Sequence, residues 1–124
     1  MLAASRLTAV VVVVVAFVSG AALAQQPATY SFRLAANASN LGTCNALDGS
    51  LSRPHTVTVT GDKAMVRSNG GIHDDLKAAG PGVYRTEFRL GRVTLDVVAD
   101  VSKTPRTLVV TEPREGCRWS GETP

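Results

Sequence analysis

Residues 83–101 read VYRTEFRLGRVTLDVVADV, and this stretch decides the fold class. Apolar and polar side chains alternate on both sides of Gly91-Arg92, which is the pattern of strands with one buried face. A two-residue connection with glycine in first position is typical of a type II′ hairpin turn. The stretch therefore predicts two neighbouring antiparallel strands.

The same alternation recurs on both sides of this hairpin. Further strands are predicted at residues 29–36, 56–60, 64–68, 107–111 and 117–119. Short connections join these strands, and no βαβ alternation interrupts them, which favours antiparallel pairing of neighbours in the chain. We therefore predict an all-β domain, built as a small antiparallel meander of about six strands that forms a sandwich or a partly open barrel.

Two segments fit more than one structure. Ile72, Leu76 and Ala79 have helical spacing and precede Gly80-Pro81, so one short helix is predicted near residues 72–79. A strand that runs into a turn at this Gly-Pro pair fits nearly as well. Residues 37–52 stay open between loop and helix, because leucines at near-helical spacing alternate there with turn-forming glycines.

Residues 1–24 have the layout of a secretory signal peptide. Arg6 supplies an early positive charge, an apolar run covers residues 10–18, and Ala22-Leu23-Ala24 is a small-x-small cleavage motif. The apolar run is well short of the roughly 20 residues that a membrane-spanning helix needs. We expect cleavage at this motif and export of residues 25–124 as a single β-domain without a membrane span, in the periplasm or outside the cell.

Cys44 and Cys117 are the two cysteines of the chain, and export to an oxidising compartment predicts a disulfide between them. They lack the C-x-x-C spacing of redox catalysts, and they supply only half of a tetrahedral metal site. A structural crosslink is therefore the favoured interpretation. Trp119 follows Cys117 closely, and we expect its ring to pack over the disulfide in the core.

Positive and negative charges are interspersed along the chain, whose formal net charge is +3. This distribution argues against a nucleic-acid partner. Arg85 and Arg89 share one strand face and form a weakly basic surface strip, with Glu87 between them. Pairing of these arginines with Asp96 or Asp100 on the next strand is the simpler interpretation.

His73-Asp74-Asp75 is the first place to look for chemistry, because imidazole and carboxylate groups are metal ligands. Consecutive residues rarely face one ion, however, and the spacing matches neither a calcium loop nor the histidine pair of a zinc protease. With His55 added, these residues support the alternative hypothesis of a small hydrolase or metal-dependent protein.

The leading hypothesis is a non-catalytic binding module. The sequence contains no Gly-x-Ser-x-Gly nucleophile elbow, and no cofactor is predicted. A small, crosslinked, exported β-domain suits the binding of a protein, a glycan or an envelope surface. The sequence alone does not say which of these is the partner.

Overall fold

The described part of the chain forms one antiparallel sheet. The computed structural model describes residues 26–36 and 49–124, together with Val12 and Cys44. The predicted signal peptide, apart from Val12, therefore lies outside the described residues. The strands are β1 (Ala28–Arg33), β2 (Ala35–Ala36), β3 (Pro54–Thr60), β4 (Lys63–Arg67), β5 (Asp74–Gly80), β6 (Val83–Leu90), β7 (Val93–Asp100), β8 (Arg106–Glu112) and β9 (Cys117–Thr123).

The sheet curls until it is nearly closed into a barrel. Its order is β1-β3-β4-β5-β6-β7-β8-β9-β2, so every strand from β3 to β9 lies beside the next one in the chain. Leu34 alone separates β1 from β2, and this extended segment pairs with β3 at its start and with β9 at its end. The predicted all-β meander is confirmed in its barrel-like form, with nine strands where about six were expected.

A glycine allows the barrel to close. Gly121 of β9 lies so near the first segment that a Cβ built on it would be 2.5 Å from the carbonyl oxygen of Arg33. Backbone-to-backbone approach at this distance leaves no room for a side chain. The identity of residue 121 is therefore tied to closure of the barrel.

The hairpin that the opening stretch predicts is present in full. β6 and β7 pair without interruption from Val83↔Asp100 to Leu90↔Val93. Gly91 has a φ of 63°, and the following arginine has no positive φ, which is the combination of a type II′ turn. The local sequence is thus sufficient to specify this unit.

The inward faces of the strands form one apolar core. The fully buried large side chains include Trp119, Phe32, Leu51, Ile72, Leu95 and Leu108. Trp119 is 0% exposed and belongs to the same buried cluster as the cysteines. Cys44 and Cys117 form the predicted disulfide, with their Cα atoms 5.6 Å apart. A structural disulfide of this kind indicates a non-cytoplasmic compartment.

The helix predicted near residues 72–79 is wrong, because Asp74–Gly80 is strand β5. Ile72 and Leu76 are buried, but Ala79 is exposed, so the burial follows the two-residue period of a strand. β5 also supplies hydrogen-bond partners to both β4 and β6. Pairing with these two strands outweighs the weak helical preference of the local sequence.

The segment at residues 37–52 is described only in part. Cys44 and residues 49–51 are helical, whereas residues 37–43 and 45–48 lie outside the described residues. Leu51 at the end of this segment is fully buried. Among the described helical residues, Cys44 and Leu51 therefore belong to the apolar core.

Candidate functional site

His55 is a buried structural residue at the start of β3. Its Nδ1 lies 2.7 Å from the carbonyl oxygen of Arg53, which can only accept, so Nδ1 carries the proton. Its Nε2 accepts a hydrogen bond from the backbone N–H of Ile72 at 3.5 Å. Burial lowers the pKa of His55, and the bond to the Arg53 carbonyl opposes this shift only in part. Both ring nitrogens of a neutral imidazole are thus used: Nδ1 binds the chain just before β3, and Nε2 joins β3 to the segment before β5.

The three residues of His73-Asp74-Asp75 all line one shallow cleft, but they differ in burial and in their contacts. His73 is exposed, donates from Nδ1 to the carbonyl oxygen of Gly71 at 3.2 Å, and meets the Phe88 ring edge-on at 5.3 Å between centroids. Asp74 lies on the inward side of β5, and Asp75 is on the exposed side. Strand geometry therefore turns Asp74 to the opposite side from Asp75, although both line the same cleft.

Asp74 joins two strands where their ladder ends. The pairing of β5 with β6 includes Lys77↔Arg85 but does not extend back to Asp74. One carboxylate oxygen of Asp74 accepts from the backbone N–H of Asp75 at 2.8 Å, and the other accepts from the Thr86 hydroxyl at 3.2 Å. The carboxylate thus replaces backbone hydrogen bonds that the ladder lacks at this point.

Shallow clefts open on both sides of this junction. One has a volume of about 390 Å³ and is lined by Met65, Arg67, Ser68, His73, Asp74 and Asp75. Another, of about 470 Å³, is lined by Lys77, Arg85, Thr86, Glu87 and Asp96. No group of three or more His, Cys, Asp or Glu side chains in the described part of the chain is placed to hold a metal ion.

The strand register places three cations in a line across the outer surface. Lys63 of β4 is the direct partner of Lys77 on β5, and Lys77 is the direct partner of Arg85 on β6. All three side chains are exposed. We call Lys63, Lys77 and Arg85 the basic row.

Three carboxylates form a second line beside the first. Glu87 of β6 is the direct partner of Asp96 on β7. Asp75 of β5 lies two residues before Lys77 and is exposed on the same side of the strand. Continuing the β5–β6 register from Lys77↔Arg85 by two residues places Asp75 opposite Glu87. We call Asp75, Glu87 and Asp96 the acidic row, and the two rows together the charged face. A separation of two residues along the strands places the rows about 6.8 Å apart.

The hydrogen-bond pattern brings the like charges close. Val101 donates to the Gly82 carbonyl, so even-numbered β6 residues direct their backbone groups toward β7 and odd-numbered ones toward β5. Glu87↔Asp96 is then a non-hydrogen-bonded pair, and the same alternation carried across β5 makes Lys63↔Lys77 another. The Cα atoms in such pairs are about 4.5 Å apart. Like charges placed directly opposite each other destabilise a sheet.

One ion pair relieves this arrangement among the described residues. Arg85 Nη2 contacts Asp96 Oδ2 at 2.9 Å and Oδ1 at 3.1 Å. The side chains are 55% and 34% exposed, so water screens the pair and its contribution is at most about 1 kcal/mol. Lys63 and Lys77 have no carboxylate within salt-bridge distance among the described residues. The charged face therefore keeps uncompensated charge of both signs.

The two arginines of the predicted basic strip, Arg85 and Arg89, have different neighbours in the sheet. Arg89 is exposed opposite Thr94 and lies outside the basic row. Arg85 is bonded to Asp96, as the simpler interpretation predicts, but its cationic neighbours are two lysines on other strands. Sequence reasoning missed the role of these lysines, because their proximity depends on the register of β4, β5 and β6.

A buried glutamate was also missed by sequence reasoning. Glu112 is 2% exposed, and its two carboxylate oxygens accept from the backbone N–H groups of Arg114 and Glu115 at 2.9 and 2.6 Å. It holds the turn that leads into Cys117. A Glu-Pro sequence before a turn is the one local signal that could have indicated this role, and that signal is weak.

Comparisons with known proteins provide no information about the function of this chain. No protein-family model, curated protein or solved structure matches this chain. In the part of the chain that the structure describes, no helix is long and apolar enough to cross a membrane. The functional interpretation therefore rests on the geometry above.

Proposed function

We propose that this chain is a non-catalytic binding module of the periplasm or extracellular space, and that it recognises its partner through the charged face. The observation that carries the proposal is the pairing of like charges, Lys63 with Lys77 and Glu87 with Asp96. Such pairs weaken a sheet in isolation. A partner with the opposite charge pattern offsets their repulsion, and charge patterns of this kind favour specific recognition.

One group of the alternative hypothesis supports the same choice. His55 uses both ring nitrogens in the fold. A hydrolase or metal-dependent protein that used this imidazole would first have to break one of these structural hydrogen bonds. The charged face needs no such rearrangement, because its side chains are already exposed.

The proposal is tested by capture from an envelope extract with matched charge variants. The binding variant carries Lys63→Gln and Lys77→Gln. The control variant carries Arg33→Gln and Arg118→Gln, which removes the same net charge from exposed positions on β1 and β9. We expect the wild-type and control proteins to retain the same partner and the binding variant to lose it.

Two outcomes contradict the proposal. Equal retention by all three proteins would show that the charged face is not the binding surface. A stoichiometric metal ion in the native purified protein, lost on substitution of His73 and Asp75, would instead favour the metal-dependent alternative.

A further inference from the structure

We propose that the charged face is a self-complementary surface, and that its partner is a second copy of this chain. This inference rests on the proposed function, because it assigns an occupant to the same face. The two copies would be related by a two-fold axis that runs parallel to the rows and between them. Each copy then presents the same residues to the other, as in an isologous dimer.

The geometry of the rows leads directly to this arrangement. The basic row and the acidic row both cross the strands, and they lie side by side on adjoining β4, β5, β6 and β7. Rotation by 180° about an axis between the rows exchanges their positions. The basic row of each copy then faces the acidic row of the other. Because the rows are offset by one strand, Lys77 and Arg85 of each copy lie opposite Asp75 and Glu87 of the other, so two cations meet two carboxylates twice.

The acidic row also argues against a simple polyanion as the occupant. A polyanion lying on Lys63, Lys77 and Arg85 would run about 6.8 Å from three carboxylates. This distance is inside the Debye length of about 8 Å at physiological ionic strength, so the repulsion is only partly screened. The face therefore suits a partner with paired rows of opposite sign, and the same face of a second copy has that pattern.

The like-charged pairs acquire a role in this dimer. In one copy alone, Lys63 and Lys77 repel each other, as do Glu87 and Asp96. In the two-fold arrangement one member of each pair, Lys77 or Glu87, faces an opposite charge on the other copy, which offsets the repulsion within the sheet. Association is then driven by charge and should weaken steeply as salt is added.

The test is a charge-swap experiment on the disulfide-bonded protein, followed by sedimentation velocity. One variant reverses the basic row with Lys63→Glu and Lys77→Glu. A second variant reverses the acidic row with Asp75→Lys and Glu87→Lys. A control variant, Arg33→Glu and Arg118→Glu, makes the same change in net charge as the first outside the face. Circular dichroism verifies that each variant is folded.

We expect the wild-type and control proteins to dimerise at about 0.02 M NaCl and to dissociate at about 0.5 M, where the Debye length is roughly 4 Å. Each reversed variant alone should have a Kd at least about tenfold higher, because like charges face each other across the axis. An equimolar mixture of the two reversed variants should dimerise again, because each reversed row then faces an opposite row.

Three results would overturn the inference. They are a wild-type protein that stays monomeric at low salt, reversed variants that dimerise as well as wild type, and a mixture that fails to regain association. If a reversed variant does not fold, the milder Lys63→Gln, Lys77→Gln protein replaces it, and an unchanged Kd then overturns the inference. A monomeric wild type that still captures a partner through the charged face would refute self-association and leave the proposed function intact.

Discussion

Loss of the Cys44–Cys117 disulfide should lower the free energy of unfolding by about 4 kcal/mol. The two cysteines are 73 positions apart, and in the chain-entropy model a loop of that size restricts the unfolded state by about this amount at 25 °C. Domains of this size are commonly stable by only about 5–15 kcal/mol. The crosslink is therefore expected to supply a large share of the net stability.

The structure also indicates where the loss should appear first. β2 and β9 are joined by only two residue pairs, Ala35↔Ser120 and Ala36↔Trp119. The disulfide attaches Cys44, which follows β2 in the chain, to Cys117 at the start of β9. Both links close the same seam of the barrel, so amide hydrogens at this seam should lose protection before those of the β6–β7 hairpin.

The assay compares urea unfolding of oxidised wild type, reduced wild type and the Cys44→Ala, Cys117→Ala protein. Reduced wild type keeps both sulfur atoms and isolates the crosslink, whereas the double variant also loses buried side-chain volume. The m-value should rise when the crosslink is removed, because the unfolded chain becomes more expanded. A reduced protein less than about 1 kcal/mol below the oxidised one, with the same m-value, would refute the entropic account.

Three further predictions concern the core and the barrel seam. Gly121→Ala should destabilise the fold by about 1–3 kcal/mol in urea unfolding, since its Cβ meets the Arg33 backbone, whereas Gly49→Ala, with no atom within 4 Å, should not. The free energy of unfolding should fall as pH drops below 6.5 through the lowered pKa of folded His55, because the unfolded state binds the proton first. His55→Gln should flatten this part of the curve of stability against pH, and an unchanged curve contradicts the assignment. Emission from Trp119, the single tryptophan, should be blue-shifted and protected from iodide in the native state; ready quenching would contradict its burial.

Local sequence predicted most of the strands because their patterning is local. Alternation on both sides of Gly91-Arg92 predicts β6, β7 and the turn between them, and all three are confirmed. The same reasoning placed a helix near residues 72–79, where Leu76 fits both periods. In the structure these residues form a strand, because they pair with β4 on one side and with β6 on the other.

The candidate site was less predictable than the fold. His73, Asp74 and Asp75 attract notice because they are contiguous, yet a strand turns alternate side chains to opposite faces. Lys63 and Lys77 carry no such signal, since fourteen positions separate them in the sequence. They become neighbours only through the β4–β5 register.

The sequence by itself determined the fold class and the crosslink. Two-residue alternation and glycine-led turns specify antiparallel strands, and two cysteines in the chain leave one pairing. The tertiary structure alone decided the closure of the barrel, the identity of β5 and the composition of the charged face. These features depend on which residues of distant segments lie opposite one another, and a one-residue change of register would turn every such side chain to the other face.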